Sequence, residues 1–366
     1  MKVIFSVFPI ILLLLLGCSK PPVPEKPMNL ADSAEQHIIT GLLLLDNSKL
    51  QDAVTQCERA LALEPKSSSA YSCLSIARND EKLLAKAKET IQSDLDTFRY
   101  HLSSIRILDI EKAKEHYKKI QNMQLNYLPF YHDKKSSSYF LALTYFKNLE
   151  FEKTRDLCAK VFKNKDSKYI NESRLLWKKV DRIIRALALS EFTVTAKKLV
   201  LKDKIKRVDI AVVLEDEIAL SKLMKGAFKA DRKDLVRVLS VDILDHPNLP
   251  QIKVFYKYGL RGLEPKVISS KELFLPDSYI TRADFTLLIE DIVSQSLGDK
   301  KLKTKFYGNK SIFVDVNNDS YYFNAINTAV ARGFLKANIN SEFRPHEFLS
   351  GVELIEAIAA IKKEIR

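Results

Sequence analysis

The sequence predicts a mostly α-helical protein made of two domains. The 366 residues include only 9 glycines, and apolar residues recur at helical spacing along most of the chain. Two different internal repeats occupy its two halves, and the length exceeds the usual size of one domain. We therefore expect an N-terminal helical solenoid followed by a helical domain of three pseudo-repeats.

The N-terminus predicts export and lipid attachment. Lys2 precedes an apolar run that ends at Leu16, and this run is shorter than the roughly 20 residues of a membrane-spanning helix. It fits the apolar region of a signal peptide, residues 1–17. The sequence Leu-Leu-Gly-Cys that ends the run resembles the lipobox of bacterial lipoproteins, which implies cleavage before Cys18 and acylation of this cysteine. An ordinary signal peptide with a chance cysteine is the alternative.

Residues 18–30 are rich in proline and predict an extended tether, and no later segment predicts a membrane span. The resemblance implies a lipid-anchored protein of the cell envelope, attached to the membrane through its N-terminus. Ser19 replaces the aspartate associated with inner-membrane retention, which favours the outer membrane, facing the periplasm. The net charge of +13 suits anionic partners. Nothing besides charge indicates nucleic acid, so we expect no nucleic-acid partner.

Residues 31–168 contain the first repeat. In a 34-residue unit beginning at Ala34, small residues occupy the positions of close helix–helix contact: Gly41, Ala53 and Ala60. With Pro65 closing the second helix, the unit resembles a tetratricopeptide repeat (TPR), and weaker units follow near residues 68 and 135. The resemblance implies a TPR-like solenoid whose surface binds an unidentified protein partner.

Three cysteines remain after Cys18 in the predicted mature chain. An odd number in a large chain does not indicate a disulfide scaffold, so buried free cysteines are expected. A bridge between Cys57 and Cys73 stays open, because spacing alone cannot establish it.

Residues 170–366 contain a second repeat of about 70 residues, with copies at about 170–225, 240–293 and 312–365. Three features of the last two copies correspond: Asp242 with Asp315, Phe274-x-Pro276 with Phe343-x-Pro345, and Thr281 with Ser350 at a helix start. The first copy is degenerate and has Leu199 and Leu201 in place of the F-x-P residues.

These copies resemble the S-layer homology (SLH) domain, whose "ITRAEF" motif reads Ile-Thr-Arg-Ala-Asp-Phe at residues 280–285. Thr281 is suited to cap the new helix, and Asp284 stands in the capping-box relation to it. Arg282 is harder to explain by helix stability, since a cation in the first turn opposes the helix dipole. In the third copy Gly351 replaces this arginine.

The SLH resemblance implies binding to acidic cell-wall polysaccharide or peptidoglycan. The motif residues and the nearby glycine turn would form the glycan site: Thr281, Arg282, Asp284, Gly259, Arg261, Lys206, Arg207 and Asp209. An arginine fork suits a carboxylate, so Arg282→Ala is expected to weaken binding while leaving the fold intact. The alternative is that these residues only cap and pack.

We therefore expect a non-catalytic envelope lipoprotein that binds wall polymer and a protein partner. The alternative is a protein-interaction scaffold whose degenerate repeats bind no glycan. The six histidines are scattered without metal-ligand spacing. The stretch from Asp315 lacks the glycine and the terminal glutamate of an EF-hand loop. The sequence thus predicts no enzyme, no cofactor and no metal site.

Overall fold

The computed structural model describes residues 32–123, 134–163, 168–227 and 239–365. Within these ranges the chain forms sixteen α-helices and one antiparallel pair of short strands. The predicted lipidation site at Cys18 and the tether at 18–30 lie outside the described residues. Across the described ranges, every helix is too short or too polar to cross a membrane.

The chain divides into two compact units. The first runs to Thr144 and also includes Lys160–Ile170, whereas the second comprises Tyr145–Ala159 and the residues from Asn171 onward. The division falls near the expected boundary, but Tyr145–Ala159 groups with the second unit. The reason is that Phe151 belongs to the hydrophobic core of the second unit.

The first unit is a series of helical hairpins. It contains α1 (Ala34–Asp46), α2 (Leu50–Leu63), α3 (Ser68–Arg78), α4 (Glu81–Glu89), α5 (Asp94–Ile107), α6 (Ile110–Asn122) and most of α7 (Lys134–Lys147). Five of these helices begin after a short polar residue whose side chain accepts a backbone N–H: Ser33, Ser67, Asp80, Ser93 and Asp109. Helix α3 packs against both α1 and α5, as expected for stacked hairpins.

A disulfide between Cys57 and Cys73 links α2 to α3, which corrects the expectation that both cysteines are free. The bridge lies against Gly41 of α1. A Cβ atom at this glycine would stand 2.7 Å from Sγ of Cys73 and 2.9 Å from Sγ of Cys57. Gly41 therefore provides the space that the bridge occupies, and Ala53 and Ala60 are fully buried in the same core.

Reduction of this bridge is expected to lower the melting temperature of the first unit. The two cysteines are 16 positions apart, and closing a loop of that size contributes about 3 kcal/mol to stability. Circular dichroism melts of the intact protein with and without reductant measure the difference. A Cys57→Ser/Cys73→Ser variant should match the reduced protein, and equal melting of oxidised and reduced protein would contradict the expectation.

The second unit contains α8 (Phe151–Lys163, except its last turn), α9 (Ile170–Leu187), α10 (Val194–Leu199), α11 (Arg207–Ile218), α12 (Leu220–Ala227), α13 (Leu249–Tyr258), β1 (Lys266–Ile268), β2 (Lys271–Leu273), α14 (Arg282–Leu297), α15 (Phe323–Ala331) and α16 (Gly351–Glu364). Helix α16 packs against both α11 and α14. Their apolar faces share one core in which Val213, Leu288 and Ile355 are fully buried.

The segments that precede α11, α14 and α16 form a closed ring of backbone hydrogen bonds. Ile205 N donates to Leu349 O (2.9 Å), Leu349 N donates to Ile280 O (3.0 Å), and Ile280 N donates to Ile205 O (3.0 Å). All three side chains are fully buried. These residues, the central ring, thus bring three helix N-termini together in an approximately three-fold arrangement.

An aspartate holds each of the two F-x-P segments. Asp242 accepts the first two N–H groups of segment 274–276 (3.1 and 2.7 Å), and Asp315 does the same for segment 343–345 (2.8 and 2.6 Å). The middle residue of each segment has a positive φ, 57° and 60°, which is unfavourable for a residue with a side chain. The paired hydrogen bonds stabilise this backbone. Val200, at the corresponding position of the first copy, follows α10 and has φ of −58°.

Candidate functional site

The predicted ligand Arg282 is buried, with 1% of its surface exposed. Its Nε donates to the carbonyl oxygen of Phe343 (2.9 Å) and its Nη2 to that of Lys336 (2.8 Å). Nη1 pairs with Glu353 at the start of α16. The guanidinium carbon also lies 4.6 Å from the ring centroid of Phe343. Arg282 therefore fastens the start of α14 to the 343–345 segment.

Arg207 makes the equivalent contacts one copy earlier and is also 1% exposed. Its Nε donates to the carbonyl oxygen of Phe274 (2.7 Å) and its Nη2 to that of Glu264 (2.7 Å). The guanidinium carbon lies 4.9 Å from the Phe274 ring centroid. Two arginines at matching positions thus make matching contacts with the F-x-P segment that follows each of them in the chain.

This geometry corrects the prediction that Arg207 and Arg282 contact a sugar directly. Desolvation lowers the pKa of both guanidinium groups, and their donors are engaged by carbonyl oxygens inside the protein. The unfavourable position at a helix start is also explained, because those carbonyl oxygens and, for Arg282, Glu353 face the positive charge. Each arginine stabilises the contact between its own helix start and the F-x-P segment that follows it in the chain.

The glycine that replaces the arginine in the third copy is explained by the corresponding contact. Gly351 N donates to the carbonyl oxygen of Lys202 (2.8 Å). A Cβ atom at Gly351 would lie 2.0 Å from the carbonyl oxygen of Leu199. The backbone of the first copy therefore occupies the space that an arginine side chain would fill. The first copy lacks the F-x-P residues and the third lacks the arginine, and these two departures from the motif occur at the same contact.

Thr281 caps helix α14. Its Oγ1 accepts the N–H of Asp284 (3.1 Å), so the predicted cap is present. Arg207 and Arg282, two of the cations that the sequence prediction assigned to the same site, are buried.

The glycine turn after α13 is structural. Gly259 closes the helix with φ of 59°. Arg261 donates to Asp291 through Nη2 (2.6 Å) and to Glu290 through the same nitrogen (2.6 Å). Burial alone would raise the pKa of Asp291, but hydrogen bonds from Arg261 and Lys303 hold it below its usual value. Arg261 thus neutralises two buried carboxylates.

Charged side chains at the start of α11 form local ion pairs. Lys206 Nζ donates to Asp277 Oδ1 (2.7 Å), and Asp209 accepts the backbone N–H of Lys206 (3.0 Å) and the ammonium of Lys202 (2.8 Å). Of the eight predicted glycan residues, Arg207 and Arg282 are therefore buried, and Lys206, Asp209 and Arg261 are held in ion pairs within the protein.

A groove of about 370 Å³ lies beside the start of α16; we call it the α16 groove. Three cations and four acids line it: Arg182, Lys336, Arg344, Asp203, Glu347, Glu353 and Glu356. None of the eight predicted residues is among its lining. The sequence carried one weak signal for it, because the middle position of the F-x-P segment is leucine at 275 but arginine at 344.

The cations of the α16 groove are incompletely paired. Arg182 and Lys336 stand 3.7 and 3.9 Å from Glu356, which is too long for a hydrogen bond. The side chain of Lys336 is 75% exposed. Arg344 contacts Glu347 at 2.9 Å, but its Nε is buried without a hydrogen-bond partner. Donors in this groove are therefore available to an anionic group.

Two of the histidines, expected to be scattered, meet in the first unit. Nδ1 of His101 and Nδ1 of His116 are 2.7 Å apart, and burial lowers the pKa of both to about 4. Among the residues that the structure describes, no cluster of three or more His, Cys, Asp or Glu could hold a metal ion. The pair thus packs α5 against α6 with neutral rings.

Comparison with protein families gives a match that overlaps the α16 groove. Residues 312–354 match the protein-family model of the S-layer homology domain. They contain Lys336, Arg344, Glu347 and Glu353 of the groove. No curated protein and no solved structure matches the chain. The chain therefore contains an S-layer homology domain at residues 312–354, a domain type that points to the cell envelope.

Proposed function

We propose that the protein is a non-catalytic envelope protein whose second unit binds acidic cell-wall polysaccharide or peptidoglycan in the α16 groove. The proposal depends on one observation: residues 312–354, which match the S-layer homology domain, supply most of this groove and two of its cations. On this proposal the three equivalent helix starts represent three SLH pseudo-repeats, and the α16 groove lies beside the third.

The groove can exchange internal pairs for a ligand. A carboxylate or phosphate of the polymer would replace Glu356 as the partner of Arg182 and Lys336, whose present distances of 3.7 and 3.9 Å are long. The buried Nε–H of Arg344 would gain the acceptor that it lacks. Charge-assisted hydrogen bonds from a guanidinium fork are strong and directional, which suits an acidic sugar.

Replacing both Lys336 and Arg344 by alanine is expected to weaken binding to purified peptidoglycan sacculi roughly tenfold or more, since each lost charged hydrogen bond typically costs about 1.5–3 kcal/mol. Binding of the wild type should also fall with added salt. The matched controls are Arg174→Ala and Lys253→Ala, which remove exposed cations elsewhere in the second unit. Unchanged binding by the groove variant, with the wild type bound, would place the site elsewhere.

We also propose that Cys18 is acylated and anchors the protein, with the outer membrane facing the periplasm as the favoured location. The Cys57–Cys73 disulfide supports export, because such bonds persist in oxidising compartments. The first unit would bind a protein partner. Its groove of about 700 Å³, lined in part by the ion pair of Arg99 and Glu35, is the candidate surface.

Cys18→Ser is expected to release the protein from the membrane fraction to the soluble fraction. The apolar run before Cys18 is too short to span a bilayer, so the anchor would be the lipid alone. Fractionation of cells that produce the wild type or the variant measures this. Continued membrane association of Cys18→Ser would contradict acylation as the anchor.

The second candidate is a protein-interaction scaffold without glycan affinity. It is favoured by the burial of Arg207 and Arg282, since the motif is used here to hold copies together. Failure of the wild type to bind sacculi, together with capture of a protein partner by the first unit, would make this candidate the better one.

A further inference from the structure

The central ring carries three exposed side chains on the residues that precede its members: Lys204, Tyr279 and Phe348. Tyr279 is 42% exposed and Phe348 is 41% exposed, with ring centroids 5.3 Å apart. Nζ of Lys204 lies 5.6 Å from the Tyr279 centroid and 4.8 Å from the Phe348 centroid. We call these three residues the central platform.

The fold does not require an aromatic platform at this point. The neighbouring Ile205, Ile280 and Leu349 already fill the core below it, whereas the platform leaves two large rings in contact with water. Within the described part of the chain, Lys204 contacts the two rings but no carboxylate neutralises its charge. An aromatic surface joined to such a cation indicates a ligand that is both apolar on one face and anionic.

We propose that the central platform binds a sugar ring of an acidic polysaccharide whose neighbouring sugars occupy the α16 groove. This inference rests on the function proposed above. Phe348 belongs to the platform and also lines the groove, so the two surfaces are continuous. The C–H face of a pyranose carries partial positive charge and matches the negative face of an aromatic ring, while Lys204 would meet the acidic substituent.

A membrane surface is the competing occupant, because aromatic and basic residues also suit the lipid interface. The acids around the platform argue against it. Asp203, Asp277 and Glu347 have exposed side chains, 86, 79 and 57%, and each is paired with a cation, so this face offers an anionic bilayer little net positive charge. A single polymer chain can run from the platform into the groove between these charges.

The test uses Tyr279→Leu, Phe348→Leu and the double variant in the full chain, with Tyr307→Leu as the control because Tyr307 is also exposed, at 62%. Leucine keeps apolar volume but removes the ring. We expect the double variant to bind purified sacculi roughly tenfold more weakly, with little change in melting temperature, and Phe348→Tyr to bind like the wild type. Tyr307→Leu should bind normally, and Lys204→Gln should bind with a weaker dependence on salt.

Three outcomes separate this inference from the proposed function. Normal binding by the double platform variant, together with loss of binding by Lys336→Ala/Arg344→Ala, overturns the platform and leaves the groove. Failure of the wild type to bind sacculi overturns both. Loss of binding to vesicles of anionic phospholipid with unchanged sacculus binding assigns the platform to the membrane and overturns the glycan inference.

The leucine variants could unfold, and the other two variants then decide. Retained binding by Phe348→Tyr together with weakened binding by Lys204→Gln supports the glycan inference, and normal binding by Lys204→Gln overturns it.

Discussion

Gly351→Arg, which would complete the helix-opening motif in the third copy, is expected to destabilise the second unit instead of creating a ligand site. A Cβ atom at residue 351 would lie 2.0 Å from the carbonyl oxygen of Leu199 and 2.9 Å from Cα of Val200. Both neighbours are backbone atoms, so the closed arrangement of helix starts would have to open. We expect a loss of about 3 kcal/mol or more, since overpacking that shifts backbone typically costs about 1–3 kcal/mol.

Gly351→Ala gives the sharpest form of this test, because the expected change in stability has the opposite sign to the usual one. Alanine in place of glycine within a helix interior stabilises by roughly 0.5–1 kcal/mol, whereas at Gly351, the first residue of α16, the expected change is a loss. Gly308→Ala is the comparison: its Cβ would meet open space, and only its φ of +83° opposes the substitution. Thermal and urea unfolding measure both variants. A Gly351→Ala protein as stable as the wild type would contradict the close approach.

Arg282→Ala is expected to lower the free energy of unfolding by about 3–5 kcal/mol, as when one partner of a buried ion pair is removed. The substitution leaves Glu353 without its arginine, deprives the carbonyl oxygens of Phe343 and Lys336 of donors, and opens a void beside the Phe343 ring. Arg282 does not line the α16 groove but contacts Glu353, which does, so sacculus binding by the molecules that remain folded should fall less than in Lys336→Ala/Arg344→Ala. This outcome reverses the expectation drawn from the sequence motif.

Two comparisons test the structural role of Arg282. Arg282→Lys keeps the charge but loses the fork that reaches three acceptors at once, so it should fall between alanine and the wild type in stability. Arg344→Ala removes a more exposed arginine nearby and should cost much less stability while weakening sacculus binding. If Arg282→Ala instead kept its melting temperature and lost sacculus binding, the arginine would be a ligand residue after all.

Much of the first unit could be read from local patterns. The short polar residues before its helices and the small residues at Gly41, Ala53 and Ala60 act within or between neighbouring helices, so their consequences follow from spacing. The disulfide could not be predicted in this way. Cys57 and Cys73 meet only because α2 packs against α3 beside Gly41, and that approach is a property of the stacked hairpins.

In the second unit the sequence by itself determined the helix starts and the cap at Thr281, because each depends on residues close together in the chain. It also marked Arg282 as unusual, through a charge that opposes its own helix. Only the tertiary structure decided what that charge does. The acceptors of Arg282 are 54, 61 and 71 positions away, and Gly351 is matched to the backbone at Leu199. Only the tertiary packing of the second unit brings such partners into contact. Hydrogen bonding and steric fit act at contact distance and do not depend on separation along the chain.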